Sequence, residues 1–334
     1  MTTTILLIIL GLAMIIIGAH FLVTGSSRIA SRFGISDIII GMTIVAIGTS
    51  APEMVVSFMG AMKGSVGLSV GNILGSNICN ILLIIGLSSI IYPMTVSRIN
   101  VNRDMQFMLL STVVLILVSL DAQIETLTID DQMTGNVISR TEGIILLLFF
   151  LVFMFYSFAS AKRHEEATKE SEEKKEKEEE KPVVKKNFLL SLVMFLGGLA
   201  VLIWGGNILV DNATILARAK GVSDTLIGAT IVAIGTSLPE LAASVMAACQ
   251  KKVGIAIGNV IGSNIFNVFL ILGGCATVTQ LPLATVNHVH FIFLLLATLL
   301  FLVSARTSFK IRRIEGLMLF VLYILYIIVT ISLA

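Results

Sequence analysis

Residues 43–53 read TIVAIGTSAPE and residues 230–240 read TIVAIGTSLPE, ten identities in eleven positions at an offset of 187. The same offset, without a gap, aligns GISDIIIG (34–41) with GVSDTLIG (221–228). It also aligns GLSVGNILGSNICN (67–80) with GIAIGNVIGSNIFN (254–267), with eight identities in fourteen. Chance does not produce such a pattern. The chain is a duplicated unit, and any fold must place two copies of one motif set.

The solvent of that fold follows from composition. Of 334 residues, 56% are hydrophobic and only 13% charged, with a mean hydropathy of +0.98. A soluble domain of this size carries about twice that charge fraction, so an ordinary cytosolic enzyme is excluded and lipid is the natural surrounding. The formal net charge of +2 gives no reason to expect a nucleic-acid partner. The cysteines Cys79, Cys249 and Cys275 all lie in apolar stretches and read as buried free thiols.

A membrane-spanning helix needs about 20 mostly apolar residues. Such runs occur at 4–24, 38–62, 67–91, 104–121, 142–160, 188–210, 225–249, 254–278, 289–305 and 314–333, giving ten expected spans. Five of them separate each motif residue from its copy. Five is odd, so the second copy crosses the membrane in the opposite direction. The expected fold class is an all-α polytopic membrane protein of ten transmembrane helices, built as two inverted five-helix repeats. Inverted repeats of this kind place a substrate site near the midplane, where broken helices meet.

Basic residues set the orientation. With the N-terminus outside, 19 Lys/Arg fall in inner loops and four (Lys63, Arg140, Arg218, Lys220) in outer ones. Both termini are therefore expected outside a cell inner (plasma) membrane. The run KRHEEATKESEEKKEKEEEKPVVKK (162–186), with nine acids and nine bases, is expected to be a solvated cytoplasmic linker. The organisation is then residues 1–160, a linker at 161–187, and an inverted second repeat at 188–334.

Of 21 acidic residues, the span assignment puts nineteen in loops or at helix ends. Glu53 and Glu240 lie inside spans, at the same position of the two copies. An ionisable group there costs several kcal/mol unless paired or wetted. No Lys or Arg lies deep in a span, so the missing partner is a proton or a cation. Pro52 and Pro239 precede the two glutamates and are expected to break the helix, releasing the carbonyls of Gly48 and Gly235. Thr49 and Ser50 stand four and three residues before Glu53, on one helix face; Thr236 and Ser237 repeat this before Glu240.

The following span of each copy carries a polar stripe at every fourth residue: Asn72, Ser76 and Asn80, then Asn259, Ser263 and Asn267. Of these, Ser76, Asn80, Ser263 and Asn267 read as cation ligands. Asn77 and Asn264 lie off the stripe and read as interhelical hydrogen-bonding residues. Gly71, Gly75, Gly258 and Gly262 beside the stripes are expected to let helices approach closely. The donor set is all oxygen, which suits hard cations such as Ca²⁺ and Na⁺ rather than Zn²⁺ or Cu⁺. Two carboxylates neutralise one Ca²⁺, and the same cage accommodates several Na⁺; occupancy by one or the other is the chemical basis of exchange.

These motifs resemble the α-repeats of the sodium/calcium exchanger family, within the calcium:cation antiporters, in a compact prokaryotic type without large cytoplasmic sensor domains. The resemblance implies four ion sites between the second, third, seventh and eighth helices. It implies Glu53 and Glu240 as the main Ca²⁺ ligands, joined by Thr49 and Thr236. Ser50, Ser237, Ser76 and Ser263 would contribute to Na⁺ sites, Ala46 and Ala233 would offer backbone carbonyls, and Asn80 and Asn267 would line the centre. The helices at 4–24 and 188–210 would slide as a gating pair. Potassium-dependent members carry Asp where Asn267 stands, which implies K⁺ independence. Proton-coupled members carry Glu soon after the Gly-Asn pair; here Ile-Leu-Gly-Ser and Val-Ile-Gly-Ser follow.

The expectation is thus an electrogenic Na⁺/Ca²⁺ antiporter working by alternating access. It needs no cofactor; its partners are the two ions and the bilayer, and its functional unit is a monomer. The alternative is a Ca²⁺/H⁺ antiporter using the same glutamates. A cation channel would show unitary currents without a counter-ion. An intramembrane enzyme finds no Ser/Lys dyad, HExxH or facing aspartyl pair in this sequence.

Overall fold

The computed structural model describes residues 2–120, 136–175, 187–221, 233–283 and 287–333, without the side chains of 99, 100, 162–175 and 233. Its helices are Thr2–Arg32 (α1), Asp37–Thr49 (α2), Ala51–Met62 (α3), Val66–Ile91 (α4), Arg98–Asn102 (α5), Asp104–Ser119 (α6) and Arg140–Lys175 (α7). The second half gives Phe188–Ala219 (α8), Ala233–Thr236 (α9), Leu238–Cys249 (α10), Val253–Val278 (α11), Val289–Ser308 (α12) and Arg313–Leu333 (α13). Among the described residues seven of these are long and apolar enough to cross a membrane, or eight with the bent pair α2–α3 counted as one span. Two shorter apolar helices, α6 and α10, coincide with two more of the expected runs.

The layering is that of a protein dissolved in lipid. The most apolar helices lie outermost, and the less apolar α4 and α11 form the centre. Their apolar windows are 83% and 94% buried, against 28% for α1 and α8 and 17% for α7. Large side chains such as Leu6, Phe155 and Trp204 face outward. Lipid accepts them, whereas polar groups must be satisfied within the protein. The polar stripes therefore select the two central helices.

Close backbone approach ties the two halves together. Gly11, Gly18 and Gly25 recur every seven residues on one face of α1. A Cβ at Gly18 would lie 2.6 Å from the Leu202 nitrogen of α8, and one at Gly198 2.5 Å from that of Leu22. Gly11 meets Gly205 while Gly25 meets Ser191, so the pair runs antiparallel. Two-residue antiparallel ladders fasten helix ends: β1 (Met94–Thr95) pairs with β4 (Lys310–Ile311), and β2 (Val137–Ile138) with β3 (Leu281–Pro282).

Several boundaries differ from the sequence reading. Helix α1 continues past residue 24 to Arg32, because Ser26, Ile29 and Ala30 are buried. Helix α7 does not stop at residue 160 but runs to Lys175, across the expected start of the linker, through a stretch rich in Glu/Lys neighbours. The rest of that linker (176–186), residues 121–135 between the fourth and fifth expected spans, and residues 225–232 of the seventh lie outside the described residues.

Candidate ion-binding site

The chain bends by 47° between α2 and α3, at Ser50 (φ −79°, ψ 8°). Pro52 lies in the first turn of α3, where the missing N–H is harmless and the ring forbids continuation from α2. Ser237 (φ −86°, ψ 7°) repeats this between α9 and α10, with Pro239 in the first turn. The breaks deliver Glu53 and Glu240 to the heart of the molecule, both fully buried. Helices α4 and α11 pass beside them, each containing a π-helical stretch, Asn80–Ile85 and Phe266–Leu272. Such wide turns are rare and concentrate at functional sites.

The hydrogen bonds cross between the halves. The Ser50 hydroxyl donates to Glu240 Oε1 (2.8 Å), and Ser237 donates to Glu53 Oε1 (3.0 Å). Ser76 donates to Glu53 Oε1 (3.4 Å) and Ser263 to Glu240 Oε1 (3.5 Å). Ser50 and Ser237 also lie 3.0 and 3.1 Å from the hydroxyls of Ser263 and Ser76. The Thr49 hydroxyl reaches Asn259 Oδ1 (3.0 Å), and Thr236 reaches Asn72 Oδ1 (3.2 Å). The spacing argument joined Ser50 to Glu53 along one helix face. The break at Ser50 ends that helix, so its hydroxyl is bonded instead to the glutamate of the other copy.

Ten of the twelve candidate ligands thus fall in two hydrogen-bond networks. Glu53, Ser237, Ser76, Asn267 and Asn80 share one, with Thr236 joined through Asn72, and Glu240, Ser50 and Ser263 share the other, with Thr49 joined through Asn259. The remaining two are the alanines. Ala46 presents a carbonyl already accepting from the Ser50 amide at 3.0 Å. Ala233 opens α9.

Other residues hold the glutamates in place. Asn72 Nδ2 donates to the Glu53 carbonyl (3.3 Å) and to Ser57 (3.0 Å); Asn259 does the same to Glu240 (3.4 Å) and Ser244 (3.0 Å). Ser57 and Ser244 escaped the motif reading, although they stand at the 187 offset and four residues after each glutamate. Asp104 is a third buried carboxylate that the span assignment had left at a helix end. It is 1% exposed, and Arg103 pairs with it at 2.8 Å, so its charge is balanced locally.

The two glutamates have no such counter-charge among the described residues. The ion pairs described there are Arg103–Asp104 and Lys252–Asp37 (3.7 Å), both elsewhere. Of the ten buried side-chain oxygens without a hydrogen-bond partner among the described residues, four belong to this site: Glu53 Oε2, Glu240 Oε2, Asn80 Oδ1 and Asn267 Oδ1. All four are pure acceptors. A buried polar atom left unmatched costs about 1–3 kcal/mol, more when charged. Four acceptors in two matched pairs, two of them carboxylate oxygens, are what a bound cation would satisfy. No cluster of three or more His, Cys, Asp or Glu exists among the described residues, so the cage is carboxylate, hydroxyl and amide oxygen. That set suits a hard cation.

Comparison with known proteins agrees with this chemistry. The chain is 33% identical over 344 residues to the sodium/calcium exchanger MaX1 of Methanosarcina acetivorans, covering 98% of each chain. It is 34% identical to the putative antiporter CaxA of Alkalimonas amylolytica, covering 96% of each. Among solved structures, the sodium-calcium exchanger NCX_Mj soaked with 2.5 mM Na⁺ and 0.1 mM Ca²⁺ superposes with a TM-score of 0.79 at 32% identity, over 97% of each chain. The family model described as sodium/calcium exchanger protein matches residues 3–159 and 190–332. The chain belongs to the sodium/calcium exchanger protein family, a family of membrane transporters and not of enzymes.

Proposed function

We propose that the protein exchanges Na⁺ for Ca²⁺ across the membrane, electrogenically and without K⁺, through one cage of oxygens built by both halves. The observation that carries this reading is the set of four unpartnered acceptors on Glu53, Glu240, Asn80 and Asn267. Glu53 and Glu240 are the charged ligands, with the hydroxyls of Thr49, Thr236, Ser50, Ser237, Ser76 and Ser263 around them. The carbonyls of Ala46 and Ala233 flank the breaks. Each serine hydroxyl now donating to a carboxylate can rotate to present a lone pair to an ion.

Two inverted five-helix repeats with ten spans provide the frame. In its favour, the bonds at the site recur in pairs at the 187 offset, and β1–β4 mirrors β3–β2 at the other end of the helices. Thr112 of α6 and Thr298 of α12, one residue short of that offset, meet at 3.2 Å. Gly258 and Gly262 of α11 press on α2; residues 225 and 229, which stand at the matching positions opposite Gly71 and Gly75 of α4, lie outside the described residues. Asn259 is buried, whereas its match Asn72 is half-buried. Alternation of the two copies between a packed and an open arrangement opens the cage to one side and then the other. With both termini outside, as expected from the basic residues, the α2–α11 contact lies on the cytoplasmic side.

The test is uptake of radioactive Ca²⁺ into proteoliposomes loaded with Na⁺, K⁺ or choline at equal pH. Uptake only from Na⁺-loaded vesicles is the expected result. Uptake without Na⁺ on imposing a pH gradient would assign Ca²⁺/H⁺ exchange instead.

A further inference from the structure

Asn77 and Asn264 stand off the polar stripe, yet both ends of each side-chain amide are hydrogen-bonded. Asn77 Nδ2 donates to the backbone carbonyl of Asn264, and Asn264 Nδ2 to that of Asn77, both at 3.4 Å. A backbone carbonyl only accepts, so the NH₂ of each side chain must point at it. Each Oδ1 is thereby turned the other way. Asn264 Oδ1 then accepts from Asn80 Nδ2 at 2.9 Å, and Asn77 Oδ1 accepts from Asn267 Nδ2 at 2.9 Å. With its NH₂ committed, each of Asn80 and Asn267 has one orientation left, in which Oδ1 is the buried atom without a partner.

We infer that Asn77 and Asn264 are positioning residues, which fix the amide polarity of Asn267 and Asn80 so that oxygen and not NH₂ faces the cations. A flipped amide would put two N–H donors against a cation, converting a ligand into a repulsive wall. The backbone carbonyls are the fixed points of the relay, and the crossing is specific: Asn264 governs Asn80, and Asn77 governs Asn267. The inference rests on the reading of Asn80 and Asn267 as ligands, and the experiment separates the two.

The variants are N77L, N267D and the double variant, with Ca²⁺ binding to purified protein measured by titration calorimetry. An Asp has acceptor oxygens in either orientation and needs no positioning. N77L alone is expected to weaken Ca²⁺ binding on the order of tenfold or more, as for loss of one ligand. In the N267D background the same N77L change is expected to cost less than about threefold. N80D, which Asn77 does not govern, should leave the N77L cost undiminished.

An equal N77L cost in the wild-type and N267D backgrounds would reduce Asn77 to an interhelical strut and overturn the inference. Equal rescue by N80D and N267D would overturn the specific crossing. The N267D background is read against its own affinity, and the cost of N77L within it decides. If N80L and N267L instead bind Ca²⁺ like the wild type, the ligand reading itself fails. Should N77L not fold, N264L with N80D tests the mirror pair in the same way.

Discussion

Replacing Glu240 or Glu53 by glutamine is expected to lower Ca²⁺ uptake at least 100-fold in each case. Glutamine has the same length, and its Oε1 still accepts from Ser50 or Ser237. What changes is the second carboxylate oxygen, the atom with no partner among the described residues. It becomes an NH₂ aimed where an ion must sit. The gross attraction of one charge for a divalent ion at oxygen-ligand distance is about 14 kcal/mol at an effective dielectric of 20. A hundredfold loss needs only about 2.7 kcal/mol. The effect on the empty protein has the opposite sign. A buried charge without a counter-ion is removed, so either variant should be at least as heat-stable as the wild type without ions. The rise in Tm that Ca²⁺ gives a protein whose folded form binds it should vanish. Uptake, with thermal melts with and without Ca²⁺, checks both arms.

Gly258→Ala is expected to destabilise the fold by about 3 kcal/mol. A Cβ at Gly258 would collide with the Ile38 carbonyl and lie 2.8 Å from the Met42 amide. Both are backbone atoms, so no rotamer change relieves the clash, and α2 would have to leave α11. Because α2 leads into the break before Glu53, the same variant is expected to transport slowly. Denaturant titration paired with initial uptake rates checks both effects, and a variant with wild-type stability would count against the close approach of α2 and α11.

Much of the site is legible in the sequence because repetition filters noise. One buried carboxylate or one polar stripe is weak evidence, but Glu53 with Glu240, and the Asn–Ser–Asn stripes with their copies, select themselves. The prolines announce the breaks, since their ring chemistry acts locally. What the sequence hides is the partnership across the two halves. Counting along a helix assigns Ser50 to Glu53, yet the backbone turn at Ser50 brings its hydroxyl to Glu240, 190 positions away. The relay through Asn77 and Asn264 is hidden for the same reason, since it depends on which carbonyl of the opposite helix lies alongside. Asp104 misled in another way. Its position at a helix end suggested solvent, but packing buries it and the adjacent Arg103 takes its charge. The helix end at Arg32 lies beyond the apolar run because the criterion was apolarity, whereas the helix continues on the buried Ser26, Ile29 and Ala30.

The central claim is that Na⁺ and Ca²⁺ occupy one cage in turn. The most direct test is Ca²⁺ binding to the purified protein, titrated at a series of Na⁺ concentrations with ionic strength held constant by choline. The account predicts that the apparent Kd for Ca²⁺ rises steeply with Na⁺, with a power of Na⁺ greater than one, and that enough Na⁺ displaces Ca²⁺ completely. A Ca²⁺ affinity indifferent to Na⁺ would contradict it.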